Sequence, residues 1–210
     1  MTQGTKRTKG TKEAAEPMPL KGFIPPHGGY QDLLSYQKAL IVFDGTLKFC
    51  DRFVDRFSRT RDQMIQAARS GKQNILEGSQ VSGVSKESEL KLTGIARGSL
   101  EELLEDYRDF LRAHQITEWP VSHSHTRRLR QLNRQPNANY ETFKKGIEHP
   151  DPAIAANVMI GLIKLTNYLL DKQIARLEAD FLQHGGIRER MTRARLAARS
   201  PQSTHDRRRP

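Results

Sequence analysis

Arginine and lysine side chains that could bind phosphate groups are concentrated in two segments of the sequence. The first segment runs from position 127 to 145 and the second from position 188 to 195. The residues are Arg127, Arg128, Arg130, Arg134, Lys144, Lys145, Arg188, Arg190, Arg193 and Arg195. Cations that pair with phosphates release counterions, so these clusters predict salt-sensitive, sequence-tolerant binding to RNA or DNA. The alternative is that they only keep the chain in solution and form ion pairs between subunits.

The net charge of the chain favours the same class of partner. The 210 residues include 35 Lys plus Arg against 24 Asp plus Glu, which gives a net charge of +11 and a pI of about 10.0. Residues 112–150 carry a net +4 and residues 185–210 a net +6, whereas residues 30–111 carry only −1. A near-neutral scaffold with basic extensions is expected of a protein that binds polyanions.

Carboxylates and histidines are the side chains that could ligate a metal ion. Five carboxylates follow one another closely: Glu101, Glu102, Glu105, Asp106 and Asp109. Di-iron sites in helical bundles use Glu-x-x-His pairs, and the sequence contains none, so these carboxylates predict a solvated acidic face that could also meet arginines of a second subunit. His123 and His125 have the spacing of two zinc ligands, but no Cys or Glu accompanies them at ligand spacing. The sequence therefore predicts no metal site and no cofactor.

The sequence lacks the nucleophile and phosphate-loop motifs of common enzymes. Neither G-x-S-x-G nor G-x-x-x-x-G-K-[ST] occurs, and the single cysteine, Cys50, falls in an apolar stripe where a small core residue is expected. No uninterrupted apolar run approaches the roughly 18 residues of a membrane span, and the N-terminus lacks the apolar part of a secretory signal. These observations predict a cytoplasmic, non-enzymatic protein without membrane contact.

Apolar residues recur every three or four positions in four long stretches, which predicts four long helices and no strand. The first helix is expected from Tyr30, the second from a capping box that begins at Thr60, the third after Ser85 and the fourth after Asp151. The stripe of the first helix comprises Leu33, Tyr36, Leu40, Phe43, Leu47, Cys50, Val54 and Phe57. The fold class predicted is all-α, an antiparallel four-helix bundle.

The chain divides into three parts. Residues 1–29 are rich in proline and lysine and are predicted to be a flexible arm. Residues 30–184 are predicted to form the bundle, in which residues 115–150 are a long basic connection before the fourth helix. Residues 185–210 are an Arg-rich extension with a disordered end, and they begin with a Gly-Gly pair that stops the fourth helix.

Two stripes carry further expectations about packing. Gly and Ala hold three of the five stripe positions in the second helix, which predicts close approach of another helix; the stripe is Met64, Ala68, Gly71, Ile75 and Gly78. Asn74 and Glu77 lie beside it, and we interpret them as a structural hydrogen-bonding cluster rather than as a catalytic carboxylate with its partner. The fourth helix carries two stripes, so it should bury one face in the bundle and the other against a neighbouring element or subunit.

The second and third helices resemble the four-helix-bundle proteins of the 23S rRNA intervening-sequence type. That family carries an S-I-x-x-N-I-A-E-G run on helix 2 and an A-x-G-S-L-x-E-L run on helix 3. The matching residues here are Asn74, Ile75, Glu77, Gly78, Ala96, Gly98, Ser99, Leu100, Glu102 and Leu103. The resemblance covers Leu33 to about Leu111, and the segments Ala156–Ile163 and FLQHGGIRERM are similar to the longer "four helix bundle suffix" variant.

The family is also similar to the accessory variability determinant proteins of diversity-generating retroelements, which form basic pentameric barrels that bind nucleic acid beside a reverse transcriptase. The resemblance thus implies a ring-like homo-oligomer, with a pentamer as the related example, and a nucleic-acid-processing enzyme as partner. This chain departs from the pattern at Gly71, where the family has Ser or Ala, and in a bundle that is near neutral rather than basic. The runner-up interpretation is a protein-interaction scaffold that does not bind nucleic acid.

Overall fold

A computed structural model describes Ile24 and residues 27–199. Within these residues every regular element is helical, which confirms the prediction of an all-α fold. A 3-10 turn, Tyr30–Asp32, comes first, and the α-helices are α1 (Leu34–Phe53), α2 (Arg59–Val81), α3 (Lys86–Ala113), α4 (Ser124–Asn133), α5 (Tyr140–Ile147), α6 (Pro152–His184) and α7 (Ile187–Arg199). The expectations of a flexible arm over residues 1–29 and of a disordered C-terminal end fall almost wholly outside the described residues.

The four long helices enclose one core. Helix α1 packs against α2 and α6, and α3 packs against the same two helices. Phe49 and Tyr107 meet at the centre with ring centroids 4.8 Å apart, and the Tyr107 hydroxyl donates to Thr46 Oγ1 over 3.2 Å. This hydrogen bond satisfies two hydroxyls that are fully buried beside Phe49.

The buried face of α1 is rotated by about one position from the predicted stripe. Leu40 is exposed and Phe43 is half-buried, whereas Ala39, Val42 and Thr46 are fully buried. The prediction is wrong here because it counts only large apolar residues. Small residues share the buried face with Ile41, Val42 and Phe49, and Gly45 among them lets Met159 of α6 approach α1 closely.

The start of α2 also differs from the prediction, while the other capping residues are confirmed. Ser58, not Thr60, caps α2, because its hydroxyl accepts from the backbone N–H of Thr60 over 3.2 Å. Ser85 caps α3 and Asp151 caps α6 as predicted, with Pro152 in the first turn. Helix α6 ends at His184, and Gly185 follows it with a φ of +68°, as the Gly-Gly stop predicted.

The second face of α6 is covered by elements of the same chain. The long connection folds into α4 and α5, and both pack against α6. Phe143 and Ile147 of α5 are buried, and so is Val158 of α6. The expectation of a second buried face is therefore confirmed, and for this part of α6 a neighbouring element rather than a second subunit provides the cover.

One stretch in the described part of the chain is long and apolar enough to cross a membrane. It runs over Pro152–Arg199, and 61% of its most apolar window is buried inside the protein. The core helix of a soluble protein has the same length and composition, so this finding does not test the expectation of a cytoplasmic protein, which stays a prediction.

Candidate functional site

The arginines of the first basic segment are presented by α4, which a single buried side chain anchors to α6. Leu129 is the one buried residue of α4. Its side chain lies against Gly161 of α6, where a Cβ atom would overlap Leu129 Cδ2. Because glycine leaves this notch open, α4 can lie close to α6 with its other faces directed towards solvent.

A groove of about 630 Å³ lies between α4 and α6, and we call it the α4–α6 groove. Two aromatic residues line it: Trp119, from the segment after α3, and Tyr168, whose side chain on α6 is 56% exposed. The cations that line it are Arg130, Arg134 and Lys164. The groove thus combines aromatic surface with positive charge, which is the composition of sites that bind single-stranded nucleic acid.

We call α4 together with its C-cap residue, Arg134, the α4 segment. Its arginines have no carboxylate partner among the described residues. Arg127, Arg128, Arg130 and Arg134 are all exposed, and none of them forms an ion pair there. In the long helices, by contrast, many cations are neutralised locally, as in the pair of Arg61 with Asp51. The α4 segment therefore carries positive charge that no acidic side chain offsets.

Two polar side chains fix the wall of the groove that carries Trp119. Asn157 of α6 accepts from the backbone N–H of Trp119 over 2.7 Å and donates to the carbonyl of Thr117 over 3.2 Å. Glu118 pairs with Arg108 of α3 and with Lys164 of α6. Burial raises the pKa of Glu118, but hydrogen bonds and positive charge from Lys164 and Arg108 outweigh it, so the pKa lies below its ordinary value.

The two histidines with zinc-ligand spacing stack on Trp119. The imidazole centroids of His123 and His125 lie 4.8 Å and 4.9 Å from the indole and 5.3 Å from each other, so both rings cover the same face of Trp119. His123 also caps α4, because its Nδ1 accepts from the backbone N–H of His125 over 3.3 Å. Within the described residues, no group of three or more His, Cys, Asp or Glu side chains is arranged to hold a metal ion.

The other predicted phosphate ligands lie on α5 and α7. Lys144 and Lys145 are exposed, and Lys144 Nζ pairs with Glu141 over 3.1 Å. Helix α7 has no buried residue, and its arginines at positions 188, 193 and 195 are exposed, whereas Arg190 is half-buried. None of these lysines and arginines lines the α4–α6 groove. They can contribute positive charge to the surface but do not belong to the groove itself.

The polar residues of the motif on α2 and α3 are separated by the structure into two groups. Asn74 Nδ2 donates to the Ser70 carbonyl over 2.9 Å, and the hydroxyls of Ser70 and Ser99 lie 2.9 Å apart. Asn74 therefore has the hydrogen bonds expected of a structural cluster. Glu77 does not join it, contrary to the prediction: it is exposed and has no hydrogen bond or ion pair in the described part of the chain.

The predicted acidic face is partly engaged by ion pairs and partly open. Glu101 pairs with Arg97, and Glu105 pairs with Arg108. Glu102 and Asp106 instead line a groove between α2 and α3. Gly78 of the α2 motif does not line this groove; it packs against α3 near Glu89. Burial raises the pKa of Asp106, and the negative charges of Asp109 and Glu102 raise it further.

Cys50 is fully buried, as its position in the apolar stripe predicted. Burial raises the pKa of its thiol to about 12, so the thiol stays protonated at neutral pH and is a poor nucleophile. Its environment is that of a core residue.

Sequence reasoning finds the arginines of the α4–α6 groove but misses its aromatic and amide residues. Trp119, Tyr168 and Asn133 come from three separate elements, and nothing in their sequence neighbourhood brings them together. The one signal in the sequence is that the chain's single tryptophan stands within ten residues of the basic segment.

Comparisons with protein families, with curated proteins and with solved structures find no match to this chain.

Proposed function

We propose that this chain is a non-enzymatic, homo-oligomeric four-helix-bundle protein that binds RNA or DNA through its basic segments, as an accessory to a nucleic-acid-processing enzyme. The observation that carries the proposal is the set of exposed, unpaired arginines on the α4 segment, two of which line a groove with aromatic walls. Unpaired surface arginines are free to contact phosphates without first breaking an ion pair.

The order of contacts along the helices supports an antiparallel four-helix bundle. Between α2 and α3, Gly71 faces Leu100 while Gly78 faces Glu89, so the two helices run in opposite directions. Between α1 and α6, Ser35 bonds Gln173 whereas Gly45 faces Met159. Each pair approaches in reversed order, which is the arrangement expected of an antiparallel bundle.

The proposal of a homo-oligomer is supported by the family resemblance and by apolar surface left exposed on the long helices. Leu34, Ile95 and Leu182 are 60%, 44% and 86% exposed, respectively. Light scattering or native mass spectrometry of the full chain tests this part: a mass that is a multiple of 24.0 kDa is expected, and a monomer at micromolar concentration contradicts it.

A salt titration tests nucleic-acid binding. In a filter-binding assay we expect the full chain to bind labelled RNA or DNA at about 50 mM salt and to lose affinity steeply as salt rises. Substitution of Arg130→Ala together with Arg134→Ala should reduce the slope of log K against log salt by about 0.7–0.9 for each phosphate that is no longer neutralised. Arg69→Ala is the matched control, because Arg69 is exposed on α2 and lies outside the groove. Absence of binding at low salt, or binding that ignores salt, refutes the proposal.

A second candidate function, a scaffold that docks a basic protein segment, is favoured by the groove between α2 and α3. Its carboxylates, Asp62, Glu102 and Asp106, form no ion pair in the described part of the chain. Two results together would replace the first proposal by the scaffold function. The unmodified chain would show no salt-dependent binding of nucleic acid, and Glu102→Gln with Asp106→Asn would abolish capture of a partner protein.

A further inference from the structure

The size and shape of the α4–α6 groove limit which part of a nucleic acid can enter it. A volume of about 630 Å³ falls in the range of small-molecule pockets, roughly 300–1,000 Å³, and is ample for one nucleotide. A duplex cannot place a base in the groove, because its bases are stacked inside the helix and its outer surface is a rigid, convex backbone. A groove of this kind is matched to a base that has left the stack.

The wall formed by Tyr168 offers a surface on which a base can stack. More than half of this tyrosine is exposed, and it lines the groove from α6. Lys172 Nζ lies 5.6 Å from the ring centroid and adds a cation beside it. Exposed aromatic rings next to cations are the stacking platforms of single-strand binding proteins.

Asn133, which lines the groove, carries a side-chain acceptor that lacks a donor. Asn133 Oδ1 is buried and accepts no hydrogen bond in the structure. A buried acceptor without a partner is unfavourable, so a ligand that Asn133 reaches by turning its amide towards the groove gains a hydrogen bond that solvent does not already supply. Each of the four bases carries at least one N–H donor on its Watson–Crick edge, and a phosphate or a ribose phosphate chain alone does not offer an aromatic edge of this kind.

The positive charges stand where the flanking backbone would run. Arg130 and Arg134 line the groove and have no carboxylate partner in the part of the chain that the structure describes, whereas Lys164 is held by Glu118. The two arginines are one helical turn apart on α4, so they can contact successive phosphates on the same side of a bound base.

We infer that the α4–α6 groove takes one unstacked base of single-stranded RNA or DNA, with the base on Tyr168, its edge donating to Asn133 and the adjoining phosphates on Arg130 and Arg134. This inference rests on the proposed nucleic-acid function and assigns it a class of substrate. Single strands bind by way of the groove, and duplex or base-free polyanions contact only the exposed arginines.

Trp119 gives a direct readout, because it is the chain's single tryptophan and lines the groove. The full chain is titrated with oligoadenylate, as RNA and as DNA, with a duplex of the same length and with inorganic polyphosphate. Saturable quenching of the tryptophan fluorescence is expected with the single strands. Polyphosphate, which has charge but no base, should bind in a competition assay without quenching.

The variant Tyr168→Ala distinguishes the contribution of base stacking to binding from the contribution of charge. It should weaken binding of oligoadenylate by about tenfold, within the range that base stacking on an aromatic ring provides, and leave polyphosphate binding unchanged. Tyr168→Phe keeps the ring and should bind as the unmodified chain does. Phe57→Ala is the matched control, because Phe57 is also an exposed aromatic, at 82%, and lies outside the groove.

The outcomes distinguish the two levels of the proposal. The base site is overturned, while the nucleic-acid function stands, if oligoadenylate and polyphosphate bind with equal strength. In that case the tryptophan fluorescence is not quenched and Tyr168→Ala has no effect on binding. Failure of every polyanion to bind at low salt refutes both. Equal quenching by duplex and single strand overturns the assignment to single strands.

Discussion

Glu118 holds two helices together and controls one charge of the groove. Its carboxylate pairs with Arg108 of α3 and with Lys164 of α6, so the segment between α3 and α4 is tied to both helices. Single ion pairs on a surface add little to stability, but a carboxylate shared by two cations and partly withdrawn from water contributes more. The side chain therefore has a structural role in forming the groove.

Stability should depend on pH through this carboxylate. The pKa of Glu118 is lowered in the folded chain, so its contribution is complete above the unfolded value near 4.5 and is lost as pH falls through the folded value. Urea unfolding should find Glu118→Gln less stable than the unmodified chain at neutral pH, with a difference that shrinks below about pH 4.5. The exposed and unpaired Glu77→Gln serves as control; a pH-independent difference for Glu118→Gln would contradict the assignment.

Asn133 should show opposite effects on stability and on binding. Asn133→Leu removes a buried acceptor that lacks a donor, so the free energy of unfolding should rise by about 1 kcal/mol. Binding of single strands should weaken, because the base edge loses its acceptor. Chemical denaturation and the fluorescence titration measure the two effects. Gln131→Leu, at an exposed position of the same helix, should change neither.

At the residue scale, the sequence predicts charge better than it predicts the groove. The arginines at 130 and 134 can be identified because clusters of one charge are visible in any linear segment. Asn133, Trp119 and Tyr168 become a site only when α4 lies on α6, and that placement depends on a glycine and a leucine in distant segments. Long-range contacts of this kind leave no periodic pattern in the sequence.

At the element scale, the helices are predictable and their exact faces are not. The α2 stripe from Met64 to Gly78 is buried as expected, because only one face of that helix carries apolar or small residues. Helix α1 carries large apolar residues on neighbouring faces, and the close packing of Ala39, Gly45 and Thr46 decides between them. Periodicity alone does not contain that steric information.

Two glycines in the helices should respond in opposite ways to alanine. A Cβ atom at Gly98 meets nothing within 4 Å, so Gly98→Ala should raise the free energy of unfolding by about 0.5–1 kcal/mol. A Cβ atom at Gly71 would come within 2.7 Å of the buried Leu100 side chain, so Gly71→Ala should lower it by about 1–3 kcal/mol. Chemical denaturation measures both. Equal effects at the two positions would show that the approach of α3 to α2 is not tight at Gly71.

Helix α7 should contribute to binding and not to folding. None of its residues is buried, but Arg193 donates to the carbonyl of His184, so replacing only Arg188 and Arg195 by Ala should leave the thermal unfolding temperature unchanged. The salt slope for nucleic acid should fall by about 1.4–1.8 if both contact phosphates. Calorimetry and filter binding check the two halves of this prediction. An unchanged slope would confine the phosphate contacts to the α4 segment.

At the scale of the whole molecule, charge and core are segregated. The long helices are close to neutral and pair many of their cations internally, whereas the arginines of the α4 segment and of α7 form no ion pair within residues 27–199. This division is predictable from the sequence, since charge can be counted by segment. The number of copies is not, because exposed apolar residues such as Leu182 do not specify how many subunits meet.

Repetition of the groove in an oligomer should make binding depend on strand length. A single strand long enough to reach two copies should bind at least about 100-fold more tightly than a short one, because the second contact is intramolecular. Fluorescence anisotropy with two strand lengths measures the ratio. A ratio near unity, in a preparation shown to be oligomeric, would mean that the grooves are too far apart for one strand to bridge.

The notch in which Leu129 meets Gly161 also has a dynamic consequence. A helix held to its neighbour by one buried side chain separates from it at a small fraction of the energy that unfolds the core. The backbone amides of α4 should therefore exchange their hydrogens with solvent long before those of α2 and α3. A ligand that bridges α4 and α6 slows that exchange, so a helix that is only weakly held to the core would be the one whose motion reports occupancy.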